Sequence, residues 1–250
     1  MKVTKGFDCS TPLTVSTAAA FVKDGYLFVA RYLVPSGFKA LTKSEADVIS
    51  KAGLQIVSVF ETTANRALGG RSAGMADGAT AVQVAKQVGQ PEGTCIYFAV
   101  DFDVSSAQMA TVIAYIQAAS EATPAFTTGV YGSYSVMKAV QQAAACSHYW
   151  QTYAWSGGKK SSFIQIYQYL NDVIEHGIGI DHDESYGNEG WWNTISPPDP
   201  EPSYPLTPED ANAIIPFLSA GYEATSLQAA RDEFHRLANE LRKASGQPEQ

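Results

Sequence analysis

Basic residues are scarce in this chain: 17 Lys and Arg stand against 25 Asp and Glu, a formal net charge of −8 at pH 7. Phosphate backbones are held by basic faces, so this balance excludes nucleic acid as the main partner. The longest basic cluster is Lys159-Lys160. Cysteine is scarce too. Cys9, Cys95 and Cys146 are odd in number and far apart in sequence, which fits neither a disulfide framework nor a CxxC metal site. They are expected as small buried groups in a chain made in a reducing compartment. The four histidines, His148, His176, His182 and His235, lack HxxxH spacing, so no zinc site is expected. There is no GxSxG, no Walker-type loop and no GxGxxG between a strand and a helix, and no cofactor is expected. No apolar run approaches the ~18–20 residues of a membrane span, so no membrane partner is expected either. The opening "MKVTKGFDCS" has no apolar h-region, which predicts synthesis in the cytoplasm without a signal peptide.

What the chain does have is repetition. A short apolar run, a polar loop, an amphipathic stretch and often a glycine recur from one end to nearly the other. Thr42 and Glu45 form a capping-box pattern, and Gly53 ends the same stretch. The apolar runs predict strands at Val3–Asp8, Tyr26–Leu33, Gln55–Glu61, Thr94–Asp103, Thr127–Tyr131, Tyr149–Ala154, Phe163–Tyr169 and Ile178–Asp183. Several are apolar on both faces, as in a parallel sheet covered by helices. Eight strands alternating with helices predict an α/β fold, a (β/α)8 TIM-type barrel over residues 1–195. An open doubly wound sheet is the alternative, because helices between the last three strands are short or absent. A proline-rich linker is expected at 196–205, "SPPDPEPSYP". A small C-terminal helical segment follows over 206–250. Its first helix starts at Thr207-Pro208; Pro216 is expected to kink or end it, and Gly221 is a further expected stop. Its second is capped by Thr225 and Gln228 and carries the apolar stripe Leu227, Ala230, Phe234, Leu237 and Leu241. This hairpin is expected to dock on the barrel, bind wall or join two copies.

Acids gather at the ends of these runs. Asp8 ends strand 1, Glu61 strand 3, Asp101 and Asp103 strand 4, and Asp181 and Asp183 strand 8. Side chains two apart along a strand share a face, which predicts that Asp101 and Asp103 point together. In a barrel such ends converge on one rim. Two chemistries use an acidic cluster: glycoside hydrolysis by a proton donor and a second carboxylate, and binding of a hard cation. The "DHDES" run is no calcium loop, since its sixth and twelfth positions are Tyr186 and Trp192. Aromatic residues at or beyond strand ends favour sugar. Tyr32, Tyr131, Trp155 and Tyr169, with Gln151, Gln168 and Asp183, are the expected substrate contacts, and Trp191-Trp192 follow the last strand.

"GFDCS", "FETT", "YFAVDFD", "IYQY" and "GIGIDHDES", in this order, resemble the glycoside-hydrolase-like domain-of-unknown-function family 1906, which is similar to the family-25 lysozymes. The resemblance covers roughly residues 3–192. It implies a barrel muramidase. Asp8 matches the first-strand Asp of the lysozymes, Asp101 the first acid of their strand-4 Asp-x-Glu, and Asp181 their last-strand Asp. Asp103 stands where they place the general-acid Glu and is one methylene shorter, so Glu61 competes for that role. The implied function is a peptidoglycan-directed glycosidase of the endolysin type. Its partner would be bacterial cell-wall glycan, reached after release by a holin or by lysis. A barrel that binds glycan without cutting it, and a metal-dependent hydrolase built on the same acids, are the other two readings.

Overall fold

The computed structural model describes residues 3–195 and 206–248, and the chain divides into two compact units, Met1–Ile195 and Ser196–Gln250. The linker expected at 196–205 lies outside the described residues. In the first unit eight strands close into one barrel in sequence order: β1 Thr4–Asp8, β2 Phe28–Tyr32, β3 Gln55–Phe60, β4 Cys95–Ala99, β5 Thr127–Gly132, β6 His148–Thr152, β7 Ile166–Glu175 and β8 Ile178–Ser185. Helices α1 Val15–Lys23, α2 Lys43–Ala52, α3 Gly70–Val88, α4 Met109–Ala122 and α5 Tyr134–Gln142 follow the first five strands.

Local chemistry sets these elements. Thr42 Oγ1 accepts from Glu45 N at 3.1 Å to start α2, and Gly53 at φ 102° ends it. The Glu45 carboxylate does not complete a capping box. It turns to fully buried Arg31 at 2.7 Å and also accepts from Leu13 N at 2.9 Å. Arg31 in turn donates to the Cys9 carbonyl, so the loop that leaves β1 is pinned beneath its polar contacts.

The expected all-parallel sheet is corrected at one strand. β1 to β7 run parallel, but β8 runs antiparallel to both β7 and β1. The cause is the length of the connection. A parallel return needs a crossover of a dozen or more residues, whereas two residues, His176 and Gly177, separate β7 from β8. Both have positive φ, 48° and 79°, which suits a two-residue hairpin loop. β7 also runs six residues past the expected end at Tyr169 to reach this turn. No helix separates β6 from β7; a loop over 153–165 makes that connection.

Reversal of β8 carries its end to the floor of the barrel. Trp192, expected near the rim, instead bridges Ile56 near the start of β3, and its indole donates to Ser58 Oγ at 2.9 Å. Trp191 packs against Phe28. The interior between β2 and β6 is apolar, built from residues such as Phe28, Val57, Val59, Tyr97 and Trp150. A larger apolar layer lies between the strands and their helices.

In the second unit α6 Pro208–Ala224 and α7 Gln228–Ala244 form a hairpin around Ala211, Ile215 and Ala238. Thr207 caps α6, accepting from Asp210 N at 3.1 Å. Pro216 and Gly221 do not stop this helix, which continues to Ala224. Gly221 serves close approach instead: a Cβ there would run into the Phe234 ring of α7. The cap of α7 is Leu227, with no side-chain bond. Of the expected stripe, Leu227 and Leu237 are exposed while Leu241 packs into the small core.

Gly6 is the position in β1 where the interior leaves no room, since an added Cβ would overlap the buried Phe28 ring. Gly6→Ala is expected to cost about 1–3 kcal/mol, the usual penalty of overpacking. Urea unfolding would show it as a lower midpoint at unchanged slope. A midpoint equal to wild type would mean that Phe28 shifts freely and that Gly6 is not constrained by it.

Candidate active site

The strand ends build one acid-lined pocket of about 120 Å³. Asp8 closes β1 and is 8% exposed. Because β8 is antiparallel, Asp181 lies in register opposite it. Glu61 follows β3 directly, and Asp101 lies two residues past the end of β4. Tyr32, Tyr131, Gln168, Trp150 and Asn171 complete the walls. An adjoining recess of about 210 Å³ shares Asp8, Tyr32 and Asp181 and adds Cys9, Ser10 and Asp172. A larger hollow of about 590 Å³ beside Lys160 and Tyr186 brings no carboxylates together.

A hydrogen-bond chain orders the acids on the β7–β8–β1 side. The Tyr131 hydroxyl donates to Gln168 Oε1 at 2.8 Å, and Gln168 Nε2 donates to Asp8 Oδ2 at 2.6 Å. The same amide reaches Asp181 Oδ2 at 3.4 Å, and Asp172 N donates to Asp181 Oδ1 at 2.8 Å. On the opposite side Lys39 Nζ lies 3.4 Å from Glu61 Oε1 and 4.1 Å from the Tyr32 ring centre. It is the one basic group seen to pair with a pocket carboxylate among the described residues.

Four carboxyls with one neighbouring cation cannot all hold charge cheaply. Burial pushes Asp8 from 3.8 up to about 8, and the Asp181 carboxylate adds to the shift. Burial raises Glu61, against Lys39, and the Asp101 charge raises it further. Burial raises Asp101, opposed by Lys39 and by the Tyr131 hydroxyl. Asp181 is raised by burial, with the Asp172 N–H opposing it. All four carboxyls are thus biased toward protonation, Asp8 up to about 8, with Lys39 favouring charge on Glu61 and Asp101; unequal environments of this kind are what separates acid and base roles.

Of the expected site residues, the structure gathers Asp8, Glu61, Asp101, Asp181, Tyr32, Tyr131 and Gln168. It leaves out five. Asp103 is exposed and outside the pocket. β4 ends at Ala99, so the strand alternation that paired Asp103 with Asp101 does not apply there. Trp155 is 45% exposed in the β6–β7 loop. Gln151 is buried and ties that loop to the barrel, donating to the Lys159 carbonyl at 2.8 Å and accepting from Ser161 N at 2.9 Å. The Tyr169 hydroxyl meets His182 Nδ1 at 3.2 Å, outside the pocket. Asp183 is fully buried and takes the Trp150 indole N–H at 2.8 Å.

Lys39, Trp150 and Asn171 were not foreseen. Trp150 could have been found by alternation through "HYWQT", but Lys39 lies in a loop without period and Asn171 lies where the β7–β8 register shifts between Leu170 and Val173. Among the described residues, one group of three potential ligand atoms lies within 4.8 Å of each other, that of Asp24, Glu175 and His176. It is outside the pocket, and each member is already engaged: His176 with Asp24, Glu175 with Tyr26 and His182.

The Asp8 shift has a defined consequence for stability. Folded Asp8 keeps a proton that the unfolded chain releases near 3.8. Its linkage term is therefore fully favourable below that value and is lost as pH rises through about 8. Thermal melts between about pH 4 and pH 8 should show Asp8→Asn losing less stability with rising pH than wild type. Parallel pH profiles for the two proteins would contradict the assignment.

The Rv2525c-like, glycoside hydrolase-like domain model matches residues 19–192. The uncharacterized protein YbfG of Bacillus subtilis is 28% identical over 260 residues, 91% of this chain and 35% of YbfG. The chain thus spans about a third of that relative's length. The Mycobacterium tuberculosis Tat-secreted protein Rv2525c superposes with a TM-score of 0.66 at 22% identity, over 76% of this chain and 98% of that one. The modular autolysin LytC of Streptococcus pneumoniae, solved with a synthetic peptidoglycan ligand, gives 0.52 at 12% identity, over 74% of this chain and 47% of that one. Both likenesses are likenesses of fold. With the family model covering well over half of it, the chain belongs to the Rv2525c-like, glycoside hydrolase-like domain family.

Proposed function

We propose that the barrel is a peptidoglycan-directed glycosidase of the muramidase kind, cleaving a β-1,4 bond next to N-acetylmuramic acid. One observation carries this reading. Glu61, pushed toward its protonated form, stands with Asp101 at the ends of adjacent strands in a small pocket walled by Tyr32 and Tyr131. In the proposed reaction Glu61 gives its proton to the glycosidic oxygen as the C1–O bond breaks, and water then adds to C1 and returns a proton to Glu61. The Asp101 carboxylate opposes the positive charge that develops on the sugar. Asp8 and Asp181 orient the ring from the other side. Asn171 Oδ1, buried at the wall with no donor among the described residues, is a free acceptor for an acetamido N–H or a sugar hydroxyl. The family membership and the peptidoglycan ligand of LytC support the substrate class. Secretion of Rv2525c supports action at the cell wall.

A second reading has its own observation. Asp103, at the general-acid position of the related lysozymes, is exposed and outside the pocket, and Glu61 is engaged by Lys39. A barrel without a working acid would bind glycan and leave it intact.

Reducing-sugar release from purified walls separates the two. Glu61→Gln and Asp101→Asn are expected to lower turnover by about 10²–10⁴-fold, the usual worth of a positioned acid or base. Asp103→Asn is expected to stay near wild type. A chelator should leave the rate unchanged, which distinguishes the glycosidase from a metal-dependent hydrolase. Wall binding by wild type with no sugar released would establish the binder, and full turnover by Glu61→Gln would remove Glu61 from the acid role.

A further inference from the structure

Asp183 lies one pleat deeper than Asp181 on β8, in register with Gly6 of β1 and Gln168 of β7. It is fully buried, below the pocket that Asp8 lines. Its Oδ1 accepts the Trp150 indole N–H at 2.8 Å, yet its Oδ2 has no donor among the described residues. An ionised carboxylate oxygen left so would forfeit its full desolvation cost. The group beside it is another acid: Asp8 stands two residues along β1 from Gly6, the register partner of Asp183, on the same face, and its charge acts on Asp183. Two carboxylates carry acceptors alone, so a hydrogen bond between them forms only if one of them carries a proton.

Asp8 is already supplied with a donor, the Gln168 amide at 2.6 Å on Oδ2. Asp183 has an unpaired oxygen and the deeper position. We propose that Asp183 is a carboxylic acid that stays protonated through and above the neutral range and donates its O–H to Asp8, fixing the Asp8 carboxyl at the pocket wall. Asp183 is thus a positioning residue that never meets substrate. The proton takes the place of a cation. The ionisable groups that act on Asp183 from the packed strands are Asp8 from β1, Asp181 on β8 and, more remotely, Tyr131 from β5 and Tyr169 from β7. None is basic. Loss of its proton would set a second buried charge against Asp8 with nothing to neutralise it, and burial together with the Asp8 charge accordingly raises Asp183 well above the ordinary range. A carboxyl kept neutral to serve as a hydrogen-bond donor is known chemistry for apolar enzyme sites.

The role in turnover rests on the glycosidase reading, but the protonation does not, and infrared spectroscopy reads it without any substrate. At about pH 9, above the range in which Asp8 itself loses a proton, wild type should retain one carboxylic-acid C=O band. Asp183→Asn should lack the band, and Asp101→Asn should keep it. Spectra of wild type labelled at aspartate Cγ give the same answer if the variant folds poorly: one aspartate should keep a protonated shift through pH 9. Absence of any protonated carboxyl in wild type at that pH, or a band that survives Asp183→Asn, would overturn the proposal. In the turnover assay Asp183→Asn keeps a neutral donor beside Asp8 and should stay within a few-fold of wild type. Asp183→Ala should lose about 10²-fold in kcat with little change in KM, the scale of a misplaced site group. Equal loss in both variants would mean that the donor is not what Asp8 requires. Wild-type turnover in Asp183→Ala would equally dismiss the positioning role.

Discussion

Asp8 faces Asp181 because β8 runs against both of its neighbours, and the chemistry of the pocket follows from that register. Two acids on adjacent strands, in register and at the pocket wall, repel each other unless protons or donors intervene. The barrel supplies both. Gln168 on β7 bridges them, held in turn by Tyr131 from β5. Had β8 been parallel, its residues would climb toward the rim where they now descend. Asp183 would then stand above Asp181 in solvent, and Trp191 and Trp192 would top the barrel. With the strand reversed, Asp183 is carried inward to Trp150, and Trp192 seals the floor against Ile56 and Ser58.

The barrel interior is consequently divided. Its β2–β6 side is filled by apolar and aromatic groups, tightly enough that β1 needs glycine at Gly6. Its β7–β8–β1 side is a polar seam of Gln168, Asp183, Asp8 and Asp181. Such a seam is a poor source of stability, since buried charges repay their desolvation only with good partners. Its partners are few and each does a distinct job. Lys39 compensates the Glu61 and Asp101 side, while hydrogen bonds and protons compensate Asp8, Asp181 and Asp183. Burial raises the acids on both sides; Lys39 opposes the shift of Glu61 and Asp101, and hydrogen bonds from Gln168 and Trp150 oppose it for Asp8 and Asp183. The pocket is therefore electrostatically lopsided, and a ligand in it meets carboxyls of different character on its two faces.

Eight strands were legible as apolar runs because burial on both faces writes continuous hydrophobic stretches, and β4 shows this in five fully buried residues. Asp8, Glu61, Asp101 and Asp181 were legible because each follows or closes such a run. The direction of β8 was not legible from the runs. Its sign was the two-residue spacer His176-Gly177 between alternating segments, a hairpin signal outweighed by the repeating strand–helix pattern. Asp103 misled because alternation was extended past the last hydrogen-bonded residue of β4, where the chain has left the sheet. Pro216 and Gly221 misled for a different reason. Local propensity argues for a stop at each, yet tertiary packing of Phe234 against Gly221 favours continuing the helix. Lys39 had no signal at all, since a loop of no period brings it to Glu61 and only the folded chain makes them neighbours.

Position along the barrel axis also separates what a carboxyl can do. At the mouth, Glu61 and Asp101 keep partial contact with solvent, so they can exchange protons with water and with a bound sugar. One layer down, Asp8 is nearly closed off, and below it Asp183 is sealed entirely. Each step inward raises the cost of charge, and the acids are accordingly held closer to neutral as they descend. A proton given up by the mouth can be replaced from solvent, while the proton proposed on Asp183 is closed off from solvent and works as a fixed structural donor. The same residue type thus performs chemistry at one depth and architecture at the next. What assigns the role is not the acid itself but how far the strand that carries it has entered the barrel.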